Sequence, residues 1–118
     1  LFALLAASVA LMPVSFAVHA VAERQVVRER MDPYTLATAA GLHQALVLIA
    51  GRVGTRRSMA ATDLTRNDLD RQAGVLYGLD PGAGARCTPG ARMPGRTTYL
   101  YAWNREASRG VLQPVACP

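Results

Sequence analysis

Two cysteines are the residues of this chain with the most definite chemistry. Cys87 and Cys117 have no histidine, aspartate or glutamate beside them at metal-ligand spacing, so the sequence predicts a disulfide and no zinc site. In the chain-entropy model such a bridge stabilises a small domain by about 3–4 kcal/mol. It also indicates an oxidising compartment. A pair of free thiols is the alternative.

The remaining polar residues do not form a pattern that predicts catalysis. His19 and His43 are too far apart on one predicted helical arm to share a metal ion or form a catalytic pair. The acidic residues of one polar stretch alternate with arginines, which is typical of a solvated, charge-balanced face. They are Asp63, Asp68 and Asp70, with Arg66 after the first and Arg71 after the last. We therefore expect no enzyme activity, no cofactor, no metal ion and no small-molecule substrate.

An aromatic strand is the best candidate for a binding surface. Residues 97–103 alternate, with aromatic side chains on one face and smaller ones on the other. Together with flanking arginines they could hold bases, sugars or a protein partner. This possible partner surface comprises Arg96, Tyr99, Tyr101, Trp103 and Arg105. The favoured interpretation is different: an aromatic strand face usually packs on a helix.

The net charge does not predict nucleic-acid binding. The formal charge is +5, from 13 basic against 8 acidic residues, and every basic residue is arginine. A G+C-rich genome would produce the same bias, and the arginines are scattered along the chain. In a segment that binds along a nucleic-acid backbone, the arginines would be clustered.

The elements that carry these residues begin with an uncharged segment at residues 1–22. As a helix it would be about 33 Å long, enough to cross the hydrocarbon core of a membrane. Small residues favour close packing with other apolar helices. The predicted anchor and assembly residues are Leu5, Ala6, Ala10, Pro13 and Ala17. Ala20-Val21-Ala22 before Glu23 also has the form of a signal-peptidase site, so a cleaved, secreted protein is the alternative.

The rest of the chain predicts a second helical region and a small domain. Residues 23–57 form an amphipathic helical region with a break near Pro33, and its main helix covers residues 35–53. A second membrane span over residues 35–51 is an alternative. Residues 58–118 form a disulfide-stapled, loop-rich domain, with a short helix or loop at 58–74. Its strands lie at 75–79, 97–103 and 111–116, the last at an edge because of Pro114.

The predicted fold class is therefore α+β. A long N-terminal helix, apolar in its first half and amphipathic in its second, packs on a small antiparallel sheet of about three strands. One disulfide closes the domain.

This order of elements resembles the type IV pilin family, including pseudopilins and pilin-like accessory proteins. The matching stretches are residues 1–22, 35–53 and 97–103, and the pair Cys87 and Cys117. In that family the first half of the helix holds the subunit in the inner membrane before assembly and then packs in the filament core. The family usually has a glutamate early in the mature helix, whereas here no acidic residue precedes Glu23. A minor or accessory subunit fits this departure better than a major one.

The resemblance implies a structural protein of a pilus-like filament, or of a related secretion or conjugation apparatus. Its partners would be further copies or other pilin-like subunits, and the membrane before assembly. It would lie in the inner membrane with its C-terminal domain in the periplasm, or in an extracellular filament. The alternatives are a secreted or single-pass binding module that uses the aromatic strand, and a two-span subunit of a membrane complex.

Overall fold

A computed structural model describes the backbone of residues 2–51, 67 and 73–117, and the side chains of these residues from Met12 onward. In chain order its elements are α1 (Phe2–Ala39), β1 (Ala45–Ile49), β2 (Val75–Leu79), α2 (Cys87–Ala91), β3 (Thr97–Asn104) and β4 (Arg109–Pro114). The α+β class is confirmed, with an N-terminal helix on a sheet and one disulfide. Residues 58–66 and 68–72, most of the predicted short helix or loop, lie outside the described residues.

Helix α1 runs through Pro33, where the sequence predicted a break. It contains 38 residues, with Pro13 and Pro33 both inside it. Proline removes one backbone hydrogen bond and costs about 3 kcal/mol in a helix interior. Here Pro33 is fully buried and is followed by the buried Tyr34. Tertiary burial therefore outweighs the local preference at this position.

The end of α1 corrects the predicted helix over residues 35–53. The helix stops in a Schellman motif, in which the Leu42 amide donates to the Ala37 carbonyl at 3.1 Å and the Gly41 amide to the Thr38 carbonyl at 3.0 Å. Gly41 has a φ of +61°, a conformation that suits glycine. The helix therefore stops at Gly41, well before the predicted end at residue 53.

Strand β1 occupies residues that the sequence analysis assigned to that helix. All five of its residues, from Ala45 to Ile49, are buried. A short, continuous apolar run fits a buried helix segment and a central strand equally well, because it has no alternation. The β-branched Val47 and Ile49 favour the strand. A second helical membrane span over residues 35–51 is incompatible with this strand.

The sheet has four strands in the order β2-β1-β3-β4, and it is mixed. Strand β1 is parallel to both β2 and β3, and only β3 and β4 are antiparallel. The prediction of about three antiparallel strands is therefore wrong in number, and its direction holds only for the β3–β4 pair. The strand that the prediction lacked is β1, which lies inside the sheet, and both strands that pair with it run parallel to it.

Two apolar layers form on the two faces of the sheet. On one face, Ala37 of α1 packs with Val47, Ile49 and Tyr101. On the other face, Leu46, Leu48 and Leu76 form a second cluster, on which Met93 packs just after α2. The Tyr34 and Tyr77 rings meet edge to face, with centroids 4.6 Å apart, and join α1 to β2.

The predicted disulfide is confirmed. It joins Cys87, the first residue of α2, to Cys117, which follows β4, with 5.5 Å between their Cα atoms. A bidentate ion pair fixes the loop before α2, since Arg86 donates to both carboxylate oxygens of Asp80 at 2.9 and 2.8 Å. This contact lowers the pKa of Asp80.

Candidate functional site

Most of α1 extends away from the sheet. At 1.5 Å per residue its 38 residues reach about 57 Å, and the molecule measures 71 × 31 × 22 Å. Its radius of gyration is 19.4 Å, against about 13.5 Å for a compact chain of this length. From Met12 onward, the first buried side chain of the helix is Glu29. The sheet therefore covers only the last third of α1.

The projecting part of α1 exposes large apolar side chains, which range from 58 to 76% exposed. They are Met12, Val14, Phe16, Val18, Val21 and Val27. Elsewhere among the described residues, Leu79 is the one other large apolar side chain recorded as exposed, at 48%. Exposed apolar surface concentrated in this way marks an interaction surface.

The exposed apolar side chains lie on opposite faces of the helix. Met12 and Phe16 are four positions apart and share one face. Val14, Val18 and Val21 share another face, at helical spacing. Because two helical positions turn the direction by about 200°, Val14 lies opposite Met12. A single flat partner would leave one of these faces uncovered.

The predicted assembly residues all lie on this part of α1. Pro13 and Ala17 are exposed. Leu5, Ala6 and Ala10 belong to the helix, but their side chains lie outside the described residues. Within the described residues, none of the helices is both long and apolar enough to cross a bilayer.

The predicted aromatic partner surface is turned toward α1. Tyr101 is fully buried, and Tyr99 and Trp103 are partly buried against the same cluster. The Tyr101 hydroxyl donates to a carboxylate oxygen of Asp32 on α1 at 2.7 Å. The favoured interpretation, that this strand face packs on a helix, is therefore correct for Tyr101.

Burial determines the chemistry of Tyr101. Burial raises the pKa of its hydroxyl, and the hydrogen bond to Asp32 and the nearby charges of Asp32 and Glu29 raise it further. The contact requires a glycine on the neighbouring strand, because a Cβ at Gly110 would collide with the Asp32 carboxylate and the Tyr101 ring. Tyr101 thus orients α1 on the sheet.

The two arginines of the predicted surface lie apart. Arg96 Nη1 donates to the Gly74 carbonyl at 3.1 Å and to the Ala45 carbonyl at 3.4 Å. It thereby joins the beginnings of β1 and β2. Arg105 is exposed in the turn between β3 and β4. The structure does not bring these five residues together as one open surface.

A groove that the sequence analysis missed lies between α1 and the turn of the β3–β4 hairpin. It has a volume of about 520 Å³, and α1 forms one wall while Trp103, Ser108 and Arg109 form the other. The helix wall comprises Val21, Arg24, Gln25, Arg28, Glu29 and Asp32. Spacings of three and four place these residues on one helical face. That spacing is visible in the sequence, but their hairpin partner is not.

The groove combines cations with a buried donor. Arg24, Arg28 and Arg109 are exposed, and none of them forms an ion pair with another described residue. The two carboxylates have donors: Asp32 accepts from Tyr101, and Glu29 accepts from Gln25 at 3.0 Å. Trp103 Nε1 is buried and meets no acceptor within the described part of the chain. Leaving such a donor unpaired costs about 1–3 kcal/mol.

Among the described residues, no group of three or more His, Cys, Asp or Glu side chains is placed to hold a metal ion.

Comparison with family models found no match, and no curated protein or solved structure shows significant similarity to the chain. The arrangement itself must therefore carry any functional argument.

Proposed function

We propose that this protein is a structural subunit or accessory factor of a type IV pilus-like filament, or of a related secretion or conjugation apparatus. It assembles through the projecting part of α1, which packs against the same segment of neighbouring subunits. The disulfide-stapled domain faces outward and determines partner contacts. Before assembly the subunit is held in the inner membrane, with its C-terminal domain in the periplasm.

The observation that carries this proposal is the exposure of apolar side chains on opposite faces of α1. Full burial of a side chain such as Val or Phe is worth about 1.5–3 kcal/mol, and six of them are at least 58% exposed in the single chain. Neighbours on several sides would cover both faces, as in the centre of a helical bundle or filament. Ala17 and Ala20 permit close approach between such helices.

The distribution of charge also supports a buried helix and an outward-facing domain. The chain has no Asp, Glu, Lys or Arg before Glu23, whereas the sheet and its loops contain hydrogen-bonded charges such as Asp80 and Arg86. An uncharged helix suits a dry filament core, and a charged domain suits a wet surface. No ligand-binding or catalytic step is needed for this role.

Ala17→Asp tests the proposal, because Ala17 is exposed in the single chain and buried in the proposed assembly. A carboxylate there would lack a partner in a dry helical core, and burying it would cost several kcal/mol. We expect the variant to disappear from the sheared, pelletable surface fraction of native-host cells while its domain keeps the disulfide and its tryptophan fluorescence.

Ala83→Asp is the matched control, since Ala83 is an exposed alanine on the domain. It introduces the same charge away from the helix and should leave the pelletable fraction unchanged. A normal yield of assembled Ala17→Asp protein would refute the proposal.

A further inference from the structure

The groove between α1 and the β3–β4 hairpin contains more positive charge than its own carboxylates neutralise. Arg24, Arg28 and Arg109 line it without ion pairs among the described residues. Asp32 and Glu29 already accept hydrogen bonds from Tyr101 and Gln25. Three guanidinium groups outnumber the two carboxylates, and they can donate several hydrogen bonds to one oxyanion such as phosphate.

The position of the groove along α1 indicates which kind of molecule supplies that phosphate. The helix wall begins at Val21, where the uncharged segment ends, and continues through Arg24 and Arg28. These arginines lie within about 9 Å of Ala22 along the helix axis. The headgroup layer on each side of a bilayer is of similar depth, about 5–8 Å. If the apolar half lies in the membrane, the arginines lie at the depth of lipid phosphates.

We infer that this groove binds the phosphate of an anionic phospholipid headgroup while the subunit is in the membrane. The inference rests on the proposed membrane stage of the subunit. Arg24 and Arg28 hold the phosphate from α1 and Arg109 holds it from the hairpin. The lipid would thereby bridge the helix and the domain and fix the angle between the bilayer and the sheet.

Trp103 makes the inference measurable, because it is the single tryptophan of the chain and it lines the groove. Its Nε1 has no acceptor among the described residues and is shielded from solvent. An anion that enters the groove changes the electric field around the indole. After a small movement of the groove wall, it also accepts a hydrogen bond from Nε1. The fluorescence of Trp103 therefore reports on the groove directly.

The test uses the full chain in a mild non-ionic detergent, titrated separately with phosphatidylglycerol, phosphatidylcholine and inorganic phosphate. We expect a saturable fluorescence change with phosphatidylglycerol, and weaker binding by about tenfold or more in the Arg28→Gln/Arg109→Gln variant. The Arg30→Gln/Arg105→Gln variant is the matched control. It removes the same charge from exposed positions on the same helix and the same hairpin, outside the groove lining, and should bind within about twofold of the wild type.

Three results would overturn the inference. Equal fluorescence changes with phosphatidylcholine and phosphatidylglycerol would show that the groove does not prefer an anionic headgroup. An equal change with inorganic phosphate would show that the groove binds phosphate and does not recognise a lipid. Equal weakening in both double variants would show attraction by net charge alone. The detergent-dispersed chain requires no filament, so failure of the assembly experiment leaves this measurement interpretable.

Discussion

At the scale of single residues, the contact between Tyr101 and Asp32 connects the helix to the sheet. The two residues are far apart in sequence, yet their side chains meet at 2.7 Å. The missing side chain of Gly110 leaves the room that this contact needs. Sequence alone predicted that the strand face carrying Tyr101 packs on a helix. It could not identify Asp32, because no spacing rule relates a helix residue to a strand residue across such a distance.

Burial of Tyr101, together with its hydrogen bond to Asp32, makes the stability of the protein sensitive to alkali. The pKa of Tyr101 is raised in the folded state, whereas an exposed tyrosine ionises near pH 10. Above about pH 10 the unfolded chain loses this proton and the folded chain keeps it, so the free energy of unfolding falls as pH rises. Tyr101→Phe should be about 1–3 kcal/mol less stable at pH 7, with a shallower loss between pH 10 and pH 11.

Tyr99→Phe provides the comparison, because it makes the same change on the same face of β3, at a hydroxyl without a hydrogen bond among the described residues. Urea unfolding at several pH values measures both variants. Identical alkaline slopes for wild type and Tyr101→Phe would show that Tyr101 does not control this pH dependence.

At the scale of elements, the sequence predicted three of the four described strands, one from its alternation and two from short runs beside turn signals, and it missed β1. The predicted strand at 75–79 is β2, and those at 97–103 and 111–116 correspond to β3 and β4 with small shifts. Strand β1 was missed because a strand buried on both faces has no polar positions to set a period of two. The groove was missed for a related reason, since its second wall is a hairpin that lies about 70–90 residues later in the chain.

The Schellman motif at the end of α1 gives a direct test of where the helix stops. Gly41 has a φ of +61°, and a Cβ added there would meet no other atom within 4 Å, so alanine is strained only by its backbone conformation. Gly41→Ala should lower the free energy of unfolding by about 1–2 kcal/mol. Gly74→Ala, with equally open space and no positive φ, should change it by less than about 0.5 kcal/mol. Equal effects in urea unfolding would contradict the assigned helix end.

At the scale of the whole molecule, a small domain carries a helix that it covers only in part. The apolar layers on the two faces of the sheet are modest, so the covalent link between α2 and the tail after β4 is important for stability. The sequence predicted this disulfide correctly because the chain has only two cysteines. The projecting surface of α1 is a property of the whole chain: it appears only once the position of the sheet along the helix is known.

Removal of the disulfide should destabilise the domain strongly. Cys87 and Cys117 are separated by 30 positions, a loop for which the chain-entropy model gives about 3–4 kcal/mol. We expect the free energy of unfolding of Cys87→Ser/Cys117→Ser, measured with urea, to be lower than that of the wild type by this amount. Reduced wild-type protein should have the same stability as the variant. A loss below about 1 kcal/mol would show that the unfolded chain gains little freedom when the bridge is absent.

The proposed assembly requires that other helices cover both apolar faces of α1. Photo-crosslinking in native-host cells tests it most directly, with benzoylphenylalanine introduced at Phe16 on one face or at Val14 on the opposite face. We expect both positions to give protein–protein crosslinks, which mass spectrometry assigns to α1 of a second copy or to the apolar helix of another subunit. Crosslinks to lipid alone at both positions would contradict it.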